Sequence, residues 1–380
     1  MGVNVNKSVI FHHPGPLFDE PRSGSQVRPF RMLQAMRQMG YEVENVSGPG
    51  KTRSAHIRKL VSEIKRGRHF DFVYSESRSI PTLLAEDNRL PVWPLYDLWF
   101  LRFLKKAGVP VGLFYRDVFW RFPRYHTMIP KWGGMITKPL YWLDWWWYCR
   151  YVDHLFLPSE AMAVYLPSQW EKSGLTALPP GSPAVGLDSL PLKKDRGVLR
   201  ILYIGGINPP GYDISRLFAL ARDSQNVHLT VCCRESEWRH LQNYYHATHL
   251  DKNIKIVHLV GSDALKLYEA ADIFCILWPK DEYLDFAVPV KLFEAIGHGI
   301  PVVTYAGSEV ARIVERESTG WVVEDDEQLR RLIDDLCNHP ETLGLARLKV
   351  YDAAKRNTWN ARVEKAASTL GSVHSRPSLG

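Results

Sequence analysis

The sequence predicts two doubly wound α/β domains in tandem, facing one another across a cleft. Three observations lead there. The chain has 380 residues, more than one ordinary core needs and a comfortable length for two α/β domains of usual size. Its second half alternates short β-rich apolar runs with helical patterns of βαβ length. Those runs are apolar on both faces, as in parallel strands covered by helices on both sides.

In the second half the runs are LRILYI (199–204), VHLTVC (227–232), KIVHLV (255–260), DIFCIL (272–277), PVVT (301–304) and GWVV (320–323). The first half keeps the rhythm less cleanly: SVIF (8–11), YEVENV (41–46), DFVY (71–74), VPVGLFY (109–115) and VDHLFL (152–157). Helical patterns fall at 25–39, 54–67, 95–107 and 141–151. The stretch GSPAVGLDSLPLKKDRG (181–197) mixes Gly, Pro, Ser and charge and reads as the interdomain linker. The domains are accordingly placed at 1–190 and 191–360, with 361–380 the end of a helix running into a disordered tail. In such folds ligands bind where strand carboxyl ends open into a crevice, so functional side chains are expected just after the strands.

Apolar residues make up 45% and charged residues 23%, the balance of a soluble globular chain, which excludes global disorder. The odd set of five cysteines, Cys149, Cys232, Cys233, Cys275 and Cys337, has no paired spacing. It reads as reduced thiols, not as a disulfide frame or a zinc site. The apolar stretch near the start is too short for a signal peptide, and no segment has transmembrane length. A cytoplasmic protein is expected, free to sit peripherally on the inner face of the cell membrane. Residues 1–195 hold 26 Lys+Arg against 17 Asp+Glu, and 196–380 hold 22 against 24. Any anionic surface should therefore meet the first half. The basic residues form no recognised reading module, so no nucleic-acid partner is expected.

The sharpest local signal is PVKLFEAIGHGIPVV (289–303). Pro289 suits the first turn of a helix, and Gly297 and Gly299 end it before the strand. Lys291 then sits near the helix N-terminus, where the macrodipole disfavours a cation unless an anion such as a diphosphate docks there too. Glu294, three residues on, shares its face and could hold a ribose through two hydroxyls. Val290, in the same turn, is counted with this donor-binding set. The alternative is a plain surface Lys–Glu pair, in the less favourable order for a helix.

This segment resembles the donor-binding helix of GT-B-fold glycosyltransferases, particularly the retaining group one, or family four, class. Pro289, Lys291, Leu292, Phe293, Glu294, Gly299, Pro301, Val302 and Val303 match its pattern in place. The resemblance implies that Glu294 binds the nucleotide ribose and Lys291 the diphosphate. The family's further glutamate, eight positions earlier, is here Phe286, with Asp285 beside it; Asp285, Tyr283 and Asp281 are left as candidates for the sugar ring. The strand LRILYI runs into Gly205–Gly206, where backbone N–H groups can approach a phosphate. Pro209 and Pro210 exclude the dinucleotide fingerprint. The turn resembles the one opening the family's C-terminal domain, but without its Arg and Lys. Phosphate neutralisation is then expected from Lys291 and from Arg234, which follows VHLTVCC.

In the first half, strand ends carry His12 and His13, then Ser75, Glu76 and Arg78, then Arg116 and Asp117. The loop FDEPRSGSQVRPFRML (18–33), with Gly24, Ser25 and Arg28 at a helix start, resembles the family's first loop, and Asp117 its acidic or histidine position. The alternative is a buried Arg116–Asp117 pair that ties loops together. The resemblance implies a retaining transfer in which Lys291 supports the leaving diphosphate and Asp117 orients the acceptor. In an inverting enzyme Asp117 would be the general base. With no clean Asp-x-Asp motif, no metal is expected, and no cofactor beyond the nucleotide-sugar substrate.

Eight of the thirteen tryptophans lie between Trp93 and Trp147, interleaved with Arg102, Lys105, Lys106, Lys131, Lys138 and Arg150. Indoles favour a bilayer headgroup region and basic residues attract anionic lipid. That reading brings the site to a saccharide or polyprenyl-diphosphate-linked acceptor; the alternatives are core packing or carbohydrate stacking. Three functions result: a transferase in bacterial surface polysaccharide or glycolipid assembly, a GT-B nucleotide-sugar epimerase, or a non-catalytic GT-B subunit. The basic, Trp-rich half has no evident use in a soluble epimerase, and a non-catalytic subunit should have lost the Lys291–Glu294 pair.

Overall fold

The computed structural model describes residues 7–19, 24–86, 95–168, 170, 174–183, 197–247 and 251–374. The chain forms two compact units, Met1–Pro179 with Trp359–Gly380, and Pro180–Thr358. The first unit ends at Pro179 instead of 190 because Ser182 is already bonded into the second, its N–H donating to Asn357 O at 2.7 Å. Most of the expected linker, 184–196, lies outside the described residues.

The first unit is built on six parallel strands: β1 (Ser8–His12), β2 (Glu42–Val46), β3 (Phe72–Glu76), β4 (Val111–Phe114), β5 (His154–Leu157) and β6 (Leu175–Ala177). Their order is β2-β1-β3-β4-β5-β6, so the direction of winding changes between β1 and β3, and polar groups gather at that switch point. Strands β3 and β5 are buried throughout, which is why they read as continuous apolar runs. The helices are α1 (Gly24–Gln38), α2 (Gly50–Lys65), α3 (Tyr96–Lys106), α4 (Tyr125–Met128) and α5 (Lys131–Tyr151). Helix α5 begins ten residues before the expected 141, since Gly133, Gly134 and Pro139 hid its first half. Pro139 is tolerated on the exposed side of the helix.

The second unit has β7 (Leu199–Ile204), β8 (Val227–Cys232), β9 (Ile254–Val257), β10 (Ile273–Ile276), β11 (Val302–Tyr305) and β12 (Gly320–Val323). All pair in parallel, in the order β12-β11-β10-β7-β8-β9. Counted within the unit, this is the dinucleotide-binding order, with its switch point between β7 and β10. Period-two alternation feeds two cores: Leu199, Ile201 and Tyr203 enter one, Leu202 and Ile204 the other. The helices are α6 (Ser215–Asp223), α7 (Glu235–Leu241), α8 (Gly261–Ala270), α9 (Val290–Gly297), α10 (Glu309–Glu317), α11 (Asp326–Asn338) and α12 (Pro340–Arg356). Helix α11 starts where Asp325 accepts the Gln328 N–H at 2.8 Å and the Gln328 side chain accepts the Glu324 N–H at 3.0 Å.

The last helix, α13 (Trp359–His374), belongs to the first unit and packs on α1, β3 and β4. The helix end expected within 361–380 runs as far as His374, where Val363, Ala366 and Leu370 line one buried face; residues 375–380 lie outside those described.

Candidate functional site

In the second unit the candidate donor residues collect at the carboxyl ends of β7 and β8 and at the start of α9. Strand β7 runs into Gly205, whose N–H donates to Cys232 O at 3.0 Å. A Cβ on Gly205 would stand 3.1 Å from the Tyr203 hydroxyl, so packing favours glycine there. A Cβ on Gly206 would meet nothing closer than 3.7 Å, so packing does not. Beside Gly206 lies Glu237, which accepts the Ile207 N–H at 3.3 Å and pairs with Arg234 at the start of α7. Arg234 itself is largely exposed.

Pro289 is the N-cap of α9, one position outside the expected first turn, which makes Val290 and Lys291 its first two residues. No side chain caps this end, and the Leu292 N–H turns back to Pro289 O at 3.2 Å. Lys291 Nζ donates to Glu294 Oε2 at 2.6 Å, and the Tyr268 hydroxyl donates to the same oxygen at 3.2 Å. The Tyr268 ring stacks on His298 with centroids 4.9 Å apart and planes 3° from parallel. Glu294 is buried while Lys291 is about one-third exposed, its side chain at 34%. An ordinary surface pair would account for the contact but not for that burial. Burial pushes the Cys232 thiol up, and its bond to Leu259 O at 3.4 Å, then the Lys291 charge, partly offset the shift. Burial likewise holds His298 below the usual imidazole range. Asp285 uses its carbonyl to receive the Glu309 N–H at 2.8 Å and Arg312 Nη2 at 2.9 Å, which fixes it at the start of α10. Burial raises its carboxyl.

In the first unit, the ends of β1, β3 and β4 do come together, and the fully buried Glu76 is their hub. Arg116 Nη2 donates to Glu76 Oε2 at 3.2 Å, and Arg28 Nε stands 3.3 Å from Glu76 Oε1. Arg28 also donates to the Tyr74 hydroxyl at 3.2 Å and lies 3.5 Å above the centre of the Phe114 ring. Arg116 reaches Ser25 O at 2.7 Å and takes Ser77 Oγ on its own N–H at 3.0 Å, tying the β4 end to the start of α1 at Gly24. The arginine that ties loops together is thus Arg116 bonded to Glu76. Asp117 accepts the Phe119 N–H at 2.7 Å, at the start of the short turn Phe119–Arg121. Burial, then the Arg116 charge, holds His13 well below the ordinary histidine range.

A second buried cluster adjoins the first. His12 stands 2.8 Å from Ser75 Oγ and 3.0 Å from Asp97 Oδ1, and Arg53 holds Asp97 at 2.6 and 2.9 Å. Burial alone would raise the Asp97 carboxyl, but the bonds from His12 and Arg53 prevail and bring it down to about 2. Asp97 and Arg53, on α3 and α2, were not among the expected site residues. An acid at position 97, in register with the apolar Leu98, Phe100, Leu101 and Leu104 of α3, was the available signal. His12, Ser75, Ser77, Thr82, Asp97 and Tyr148 line a small pocket beside the cluster.

The tryptophan-rich segment divides. Trp120 and Trp145 are buried, whereas Trp99, Trp132, Trp142 and Trp146 are exposed; Trp93 lies outside the described residues. Among the described residues, no helix is long and apolar enough to cross a membrane.

Comparison with known proteins agrees with this architecture. The family described as "Glycosyl transferases group 1" matches residues 199–339, the stretch that holds Gly205, Gly206, Lys291 and Glu294. No curated protein matches the chain by sequence. Among solved structures, a glycosyltransferase from Rickettsia africae ESF-5 is 13% identical with a TM-score of 0.62, over 98% of this chain and 100% of that one. HepE from Anabaena, crystallised with UDP and glucose, is 14% identical with a TM-score of 0.60, over 96% and 100%. WaaG, a glycosyltransferase involved in lipopolysaccharide biosynthesis, is 15% identical with a TM-score of 0.54, over 95% and 98%. With two six-stranded parallel sheets flanked by helices, the chain has the GT-B fold, and it resembles the group 1 glycosyltransferases along its length in fold and over residues 199–339 in sequence.

Proposed function

We propose that the protein transfers a sugar from a nucleoside-diphosphate sugar to a saccharide or lipid-linked saccharide. The observation that carries this reading is the Lys291–Glu294 pair at the start of α9, an end that no side chain caps. The dipole at that end and the N–H groups it presents favour an anion. A diphosphate arriving there offers Lys291 a better partner than Glu294. Lys291 then supports the leaving group, and Glu294 is released to accept two ribose hydroxyls. Packing does not require glycine at Gly206, so the absence of a side chain there suits close approach of a phosphate to the backbone. Arg234 adds positive charge, tempered by Glu237.

Asp117 stands after β4 with one oxygen engaged by the Phe119 N–H, and its role is to orient the acceptor hydroxyl. The transfer is retaining and needs no metal, because fixed positive charge and backbone dipoles stabilise the departing diphosphate, whose oxygen takes the acceptor's proton. The acceptor is a saccharide or a polyprenyl-diphosphate-linked saccharide, as in the assembly of bacterial surface polysaccharide or glycolipid. The reaction is then carried out by a cytoplasmic protein at the inner face of the membrane.

The test is release of nucleoside diphosphate from a panel of sugar nucleotides with a membrane extract as acceptor. UDP-glucose is tried first, because HepE was crystallised with UDP and glucose. Charged hydrogen bonds contribute about 1.5–3 kcal/mol each, so Lys291→Ala and Glu294→Ala should each weaken donor affinity roughly tenfold to a hundredfold. Full activity and affinity in both variants would overturn the reading. Activity that survives EDTA, with product anomeric configuration matching the donor, is the expected outcome for the metal and the stereochemistry.

A further inference from the structure

We propose that the outer face of α5 is the surface by which the protein docks on an anionic lipid bilayer. This deepens the reading of a membrane-borne acceptor but can be tested without it. Helix α5 spans 21 residues, and its inner face packs into the first unit. Tyr141 stacks on Trp120 at 5.0 Å, Trp145 donates its indole N–H to Ser168 Oγ at 2.7 Å, and Asp144 accepts the Thr82 N–H at 2.7 Å. The opposite face carries Trp132, Met135, Ile136, Pro139, Trp142 and Trp146, all exposed. At 100° per residue these six fall within about a third of the helix circumference, in one stripe along the helix. The contrast is sharp between neighbours: Trp145 is 2% exposed, Trp142 and Trp146 each 47%, and Trp132 69%. Core packing explains the first; Trp142 and Trp146 meet Trp120 and Trp147 at 5.8 and 5.7 Å between ring centres, yet nearly half of each remains exposed.

The charges select the occupant. Between Asp117 and Asp153 the chain has five basic residues, Arg121, Arg124, Lys131, Lys138 and Arg150, and one acid, Asp144. Asp144 is buried, so no carboxylate of that stretch stands on the surface. Arg150 lies 4.8 Å from the centre of the Trp146 ring, placing a cation at the stripe itself. A second copy laid face to face would bring basic residues against basic residues. An anionic headgroup layer neutralises them while the indoles settle at the boundary with the acyl chains. The apolar stripe, the indoles and the one-signed charge thus fit a single partner.

The experiment is flotation of the full chain with vesicles of phosphatidylglycerol and phosphatidylcholine, against phosphatidylcholine alone. It is run with wild type, with the triple variant Trp132→Ser/Trp142→Ser/Trp146→Ser, and with Lys131→Gln/Arg150→Gln. Wild type should float with the anionic vesicles at low salt and much less with neutral ones, and its tryptophan emission should shift to the blue. The triple variant should lose at least tenfold in bound fraction while retaining its circular dichroism and melting temperature. The charge variant should lose only the preference for anionic lipid. Lys291→Ala should float like wild type, and the triple variant should bind donor nucleotide like wild type, so failure of docking and failure of the donor site are separable. Wild type that stays with the buffer at low salt would overturn the proposal. So would a triple variant that floats equally well, or one whose only defect is loss of a dimer in sedimentation, which would assign the face to a second copy.

Discussion

Two residues test how buried chemistry is balanced. Tyr268 is fully buried, and its hydroxyl bonds the Glu294 oxygen that also holds Lys291. If Lys291 turns to a diphosphate, Tyr268 remains to fix the carboxylate's rotamer. Tyr268→Phe keeps the ring stack on His298 and removes a bond of about 0.5–1.5 kcal/mol. It should raise donor KM roughly two- to tenfold with kcat held, and an unchanged KM would remove Tyr268 from the site. Asp144 behaves oppositely to Asp97. Burial raises its carboxyl to about 7, since only the Thr82 bonds offset it. Its folded pKa lies above the unfolded value of 3.8, so between about 4 and 7 the folded state binds the extra proton. Stability contributed by the neutral form is therefore present at low pH and lost as pH rises through that window, at up to about 1.4 kcal/mol per pH unit. Asp144→Asn keeps an oxygen for the Thr82 N–H and never ionises. Its melting temperature should exceed that of wild type at pH 8 by a margin that shrinks towards pH 4. A constant margin would mean that Asp144 is not neutral in the fold.

The elements show why some of the site was readable. Helix α9 could be placed because both of its ends are written locally. Pro289 precedes it, and Gly299 follows with φ +69°, where the Gly299 N–H donates to Ile296 O at 3.0 Å and the Ile300 N–H to Ala295 O at 3.0 Å. That pair of bonds is a Schellman closure, which needs a left-handed residue. Gly299→Ala should cost about 1 kcal/mol of unfolding free energy. It should also loosen the link into β11, read as a lower urea midpoint with an unchanged m-value; an unaltered midpoint would show that the closure is not needed. The strands were equally legible, LRILYI, VHLTVC and GWVV coinciding with β7, β8 and β12. The members of the Glu76 hub were named but their pairing was not, and Asp97 and Arg53 of the second cluster were not named at all. Their members stand 40 to 85 residues apart, and only the strand order of the first sheet brings them together. Helix α5 was half hidden because Gly133, Gly134 and Pro139 mark a helix break in sequence, yet neighbouring packing overrides that preference.

At the scale of the whole molecule the least legible feature is the return of α13. Its apolar spacing announces a helix but not the partner, since nothing local distinguishes a face that packs on the preceding helix from one that packs on strands more than 200 residues earlier. The first unit is shaped for it. A Cβ on Gly112 of β4 would stand 2.7 Å from the Leu370 side chain, so the glycine leaves the room that Leu370 fills. Leu370, Val363 and Ala366 are each fully buried. Fully burying one Leu or Val side chain contributes about 1.5–3 kcal/mol, against a whole-domain stability of about 5–15 kcal/mol. Ending the chain after Thr358 removes these residues from the first unit and none from the core of the second, which spans Pro180–Thr358. The shortened protein should lose the cooperative melting transition of its first unit and expose the apolar surface of β3 and β4 to a hydrophobic dye. The second unit should keep its own transition, and that transition should still rise when UDP is added. Retention of both transitions would show that α13 is dispensable to the first unit. Loss of both would show that the two units do not fold independently, and with it would go the picture of a donor domain that holds Lys291 and Glu294 in place by its own core.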